Sequence, residues 1–190
     1  MQPILLSFAV LALVGGSLAV KPFILERCSG AKPGIPVDIV AQRGAALFYS
    51  NDYRRRHGAL PLTVDPTLEA EAQKQADYMA STGTIVGGWV NGENIARIPC
   101  DDATQQKYPT EATIPGAVFR WYGQMIPFRC PNPARSLASF AGIVWKATEK
   151  VGFGAAVRSD GFIFVVAKYS PPFSGDPAAK MQNVQCEEVA

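Results

Sequence analysis

Residues 87–96 read GGWVNGENIA and set a single carboxylate, Glu93, in a stretch too rich in glycine for a helix interior. A carboxylate in such a place can act as a general base or metal ligand, or it can hold a turn together. A nucleophilic serine needs an imidazole within hydrogen-bond reach, and His57 is the one histidine of the chain. Ser50 falls on the same predicted helix as His57, about 10 Å away at ~1.5 Å per residue, so the two are badly placed to pair. Ser139 has no nucleophile-elbow glycines around it, and hydrolysis by paired carboxylates would need a second acid beside Glu93. No catalytic set is expected. The four cysteines, Cys28, Cys100, Cys130 and Cys186, form no C-x-x-C pair and have one histidine to join them. That composition predicts neither a zinc site nor any other cofactor.

The elements that must hold these residues begin with an uncharged run, Ile4 to Gly16, followed by Ser17-Leu18-Ala19. This has the form of a secretory signal over residues 1–19, shorter than the about 20 residues of a membrane span, with cleavage predicted after Ala19. The remaining chain is expected to be extracellular, without a transmembrane segment, monomeric and a single domain. In an oxidising compartment the four cysteines pair, with three connectivities open; Cys100 with Cys130 and Cys28 with Cys186 are favoured. A net charge of +2 gives nucleic acid no electrostatic footprint.

Residues 20–36 are punctuated by proline and glycine and read as an N-terminal arm. A helix follows to about Arg56, with Val40, Leu47 and Phe48 at helical spacing and an Asp52–Arg56 pair one turn apart. Its end, RRRHG, places basic groups in the last turn and Gly58 as the left-handed cap. Asp65 and Pro66 announce a second helix, with Leu68, Ala72, Ala76 and Met79 as its buried stripe. A third is predicted from Pro115 to Ile126. The last third changes period: VGFGAAV and FIFVVAKYS flank the turn RSDG and predict a β-hairpin. The fold class is α+β, an antiparallel sheet covered by helices.

The segments YSNDYRRRHGALPL, GENIA, FRWYGQM, FAGIVWKATEKVGFGAAV and VVAKYSPPFS occur in one order over roughly residues 40–174. Together they resemble the superfamily of cysteine-rich secretory, antigen 5 and pathogenesis-related proteins, the CAP or SCP domain. The resemblance implies an α-β-α sandwich over residues 37–174, with 175–190 as a C-terminal tail carrying Cys186. It also implies a cavity tetrad of two histidines and two acidic residues able to hold a divalent metal. Carried over position by position, that tetrad becomes Gly87, Glu93, Gln124 and Ser139, and only the glutamate survives. One carboxylate with an amide and a hydroxyl suits neither zinc nor calcium, so Glu93 is expected to be structural.

Binding is what remains. Trp89, Phe119, Trp121, Tyr122, Trp145 and Tyr169 would line an apolar groove or pack the core, and spacing does not separate the two. Some members of the family bind sterols or fatty acids, which makes a small apolar ligand the first expectation. An extracellular protein receptor, as for venom-allergen-like and defence proteins, is the second, with residues 101–111 as the recognition loop. There is no N-x-S/T sequon.

Overall fold

The computed structural model describes residues 38–88, 91–99, 112–125, 132–135 and 137–185. The signal, the arm, all four cysteines, Trp89 and the 101–111 loop lie outside these described residues.

Asp65 and Pro66 start a helix as their chemistry requires. The Asp65 carboxylate accepts from the amides of Thr67 and Leu68, satisfying donors that the first turn leaves open. Gly83 ends the same helix in the left-handed conformation, its amide on the Met79 carbonyl. In chain order the elements are α1 (Ile39–Arg56), β1 (Thr63–Val64), α2 (Pro66–Thr82), β2 (Glu93–Pro99), α3 (Ile114–Gly123), a 3-10 turn at Pro133–Arg135, α4 (Ala138–Val144), β3 (Lys150–Val157), β4 (Phe162–Ser170) and α5 (Pro177–Asn183).

The sheet order is β1-β3-β4-β2. The hairpin β3–β4 forms as expected, and β2 pairs with β4 antiparallel, Glu93 opposite Lys168. Beside these three antiparallel strands, the two-residue β1 adds a parallel edge to β3, Thr63 opposite Lys150. A parallel neighbour needs a long crossover, and here the chain makes α2, β2, α3 and α4 before returning as β3.

Alternation along the strands divides the core between two faces. Ala156, Phe164 and Val166 point to α2 and meet Ala72, Ala76 and Met79. Val151, Phe153, Ile163 and Val165 point the other way, to α1, α3 and α4. Helices on both faces make the domain an α-β-α sandwich. The α2 layer sits on two glycines of β3: a Cβ at Gly152 would lie 2.2 Å from the Leu68 carbonyl carbon, and one at Gly154 2.3 Å from that of Ala72.

α1 departs from its expected pattern. Val40 and Phe48 are 77% and 70% exposed, whereas Gln42, Ser50 and Arg54 face inward. For Gln42 and Arg54 the reason lies in polar satisfaction. The Gln42 Oε1 accepts from the Ile114 amide, and Arg54 donates to the carbonyls of Leu60, Ile143, Trp145 and Thr148. Rotating α1 to bury Val40 and Phe48 would strand those carbonyls. The segment read as a tail is also built in: α5 packs on the domain, and Val184 joins the main core at 2% exposure.

Candidate functional site

Glu93 opens β2 and is buried, and donors from three parts of the fold surround it. The Gln75 side-chain amide of α2 reaches Oε2 at 2.9 Å, and the Gly88 backbone amide reaches the same oxygen at 3.1 Å. The Lys168 ammonium of β4, its cross-strand neighbour, makes a short ion pair with Oε1. Burial pushes the carboxyl toward its neutral form, but the bonds from Gln75, Lys168 and Gly88 outweigh it and hold the pKa below the ordinary value. Glu93 is therefore an ionised, internally neutralised group. A backbone donor from its own turn is what a buried carboxylate calls for, and Gly88 supplies one. Gln75 and Lys168 carried no sequence signal, because both reach Glu93 through tertiary register.

Of the other positions matched to the tetrad, Gly87 alone is brought against Glu93. Its φ is +85°, and a Cβ there would lie 2.3 Å from Glu93 Oε2 and 2.5 Å from Gln75 Nε2. The Glu93–Gln75 bond thus occupies the space that a side chain at residue 87 would need. Gln124 caps the C-terminus of α3, its amide on the Trp121 and Tyr122 carbonyls. Ser139 lies in α4, where its carbonyl accepts from Asn94 Nδ2 at 2.9 Å. Among the described residues no hydrogen bond joins Glu93 to Gln124 or Ser139, and no cluster of three His, Cys, Asp or Glu side chains could hold a metal ion.

His57 is fully buried and both ring nitrogens are engaged. Nδ1 lies 2.7 Å from the Gln185 carbonyl, which can only accept, so Nδ1 carries the proton. Nε2 lies 3.1 Å from the Tyr122 hydroxyl, and in the neutral ring it accepts from it. Ser50 Oγ, though buried, finds no hydrogen-bond partner among the described residues, so His57 does not activate it.

The aromatic set divides. Trp121, Tyr122 and Trp145 are buried in the main core, and Tyr122 stacks on Tyr53 with ring centroids 3.7 Å apart. Tyr169 is buried beside them, and desolvation raises its hydroxyl pKa. Phe119 is exposed on the outer side of α3, and Trp89 lies outside the described residues.

This geometry can be set beside known proteins. Residues 47–169 match the family model described as the cysteine-rich secretory protein family, CAP. The chain belongs to the CAP family. It is 33% identical over 128 residues to the human "Golgi-associated plant pathogenesis-related protein 1", covering 64% of this chain and 77% of that one. It is 27% identical over 127 residues to tomato (Solanum lycopersicum) "Pathogenesis-related protein 1A1", covering 64% and 67%. Among solved structures, the hookworm platelet inhibitor aligns with a TM-score of 0.54 at 21% identity over 72% of each chain, a likeness of fold alone. No helix among the described residues of this CAP protein is long and apolar enough to cross a membrane.

Proposed function

We propose that this CAP protein is a secreted, non-catalytic module that acts by recognising a protein partner through its outer surface. The packing of Trp121, Tyr122 and Trp145 carries the reading: three aromatics that would have lined a ligand groove are committed to the core. Apolar area is instead presented outward, at Phe48 and Phe119. The absence of catalysis is supported by Glu93, whose charge is matched internally by Lys168, and by His57, whose nitrogens serve Gln185 and Tyr122. Carriage of a sterol or fatty acid, the first expectation from sequence, keeps Phe119 and Trp89 as its aromatic support.

Native mass spectrometry of the chain secreted by a eukaryotic host, before and after organic extraction, tests this proposal. A bare polypeptide mass is expected, together with no turnover of ester or peptide substrates. A removable adduct of sterol or fatty-acid mass would overturn it in favour of lipid carriage.

A further inference from the structure

α1 turns Gln42, Ser50 and Arg54 inward beside Ala46 and Tyr53, and leaves Val40 and Phe48 standing out at 77% and 70% exposure. Gly44 lies midway between them, one turn from each. It occupies the interior of an 18-residue helix, where glycine costs about 1 kcal/mol relative to alanine. Nothing among the described residues of a single copy asks for it. Its φ is not positive, and a Cβ built on it would meet no atom within 4 Å. The outward face thus has a ridge of residues four apart with a notch at its centre.

The spacing is symmetric about the notch, and a two-fold axis through Gly44 maps Phe48 onto Val40. We propose that this face binds a second copy of the chain, α1 crossing α1 antiparallel at Gly44, each Phe48 seated on the partner's Val40. An isologous contact of this kind uses one ridge twice, and ridges of spacing four interdigitate in the commonest class of helix packing. The missing side chain at Gly44 lets the two backbones approach at the crossing point, which accounts for a glycine that is otherwise only a cost.

The area is of the right order. Tyr49 shares the stripe of Gln42 and Tyr53, which turns toward α3, and is 47% exposed; Phe119 on α3 is 62% exposed. A whole aromatic side chain offers about 150–250 Å², of which Phe48, Tyr49 and Phe119 expose roughly half to two-thirds. Phe48, Tyr49, Phe119 and Val40, with Ala41 and Gly44 between them, bring the face toward the roughly 800 Å² per partner of a standard interface. The inference replaces the expectation of a monomer and rests on the proposed function: the protein partner that covers Phe48 and Phe119 is a second copy of the chain.

Sedimentation equilibrium on the full chain, as its host processes it, tests the idea from low to high micromolar concentration. A monomer–dimer equilibrium is expected. Gly44→Ala separates the two effects: it should raise the thermal midpoint of the dilute monomer while weakening dimerisation at least tenfold. Phe48→Glu should leave the dilute circular dichroism spectrum and melting point unchanged and abolish the dimer. A wild-type chain that stays monomeric throughout overturns the proposal, as does a dimer indifferent to both substitutions. Vesicle or heterologous-protein binding by a monomeric wild type, lost in Phe48→Glu, would also overturn it and give the face to that occupant.

Discussion

Lys168 answers the charge of Glu93 from the neighbouring strand, and the pair sets a pH dependence whose sign follows from Glu93. Its folded pKa lies below the ordinary 4.5, so its contribution to stability is complete above that value and is lost as pH falls through the folded pKa. Glu93→Gln should therefore lower stability at neutral pH by roughly 1–3 kcal/mol and flatten the acid limb of a melting-temperature profile. An unchanged melting temperature would remove Glu93 from the scaffold. Arg54 is the second residue on which the interior depends. Burial pulls its pKa down to about 10, so it stays charged at neutral pH and binds four carbonyls without a carboxylate. Arg54→Lys cannot span four divergent acceptors, and a loss of roughly 3 kcal/mol or more is expected in urea denaturation. That Glu93 would lie outside a helix was legible from the glycines around it. Arg54 was not: in RRRHG it is indistinguishable from Arg55 and Arg56, which pair with Asp52 at the surface.

At the scale of elements, the contact between α2 and β3 is set by what two residues lack. Gly152→Ala and Gly154→Ala would each drive a methyl group into helix backbone, which cannot swing aside as a side chain can. Each should lower the urea midpoint by the equivalent of about 1–3 kcal/mol with the slope unchanged. α2 itself was readable from its cap, its proline and its small-residue stripe, because those signals are local. The outward face of α1 was not. Helical spacing locates apolar residues on a wheel, but which side turns inward was decided by partners on α3, α4 and the turn into β3. β1 was missed for a similar reason, since a two-residue strand exists only through its parallel neighbour. At the opposite edge of the sheet, the Trp121 indole donates to the Ile95 carbonyl of β2 and Pro99 lacks an amide, so this edge is poorly suited to further strand pairing.

The whole molecule is closed by a segment beyond the family match, which ends at residue 169. The Lys146 amide donates to the Asn183 carbonyl, the Ala147 amide to the Asn183 side chain, and Val184 fills the main core. Val184→Ala should cost about 1–3 kcal/mol by thermal denaturation, a size reserved for core positions. Sequence patterning gave the class of this fold, because alternation and capping are local, and left its closure unread, because seven helical residues near a chain end look like any other tail.

The bond from His57 to the Gln185 carbonyl spans 128 residues and ties the end of the first described helix to the last described residue. A chain emerging from the ribosome presents α1 and α2 long before β4 supplies the partner of β2 or Val184 fills the core. Most of the sandwich is thus denied to the growing polypeptide until β4 and residues 184–185 have emerged. Folding is then a single late event, slow for the chain length because its decisive contacts are distant in sequence.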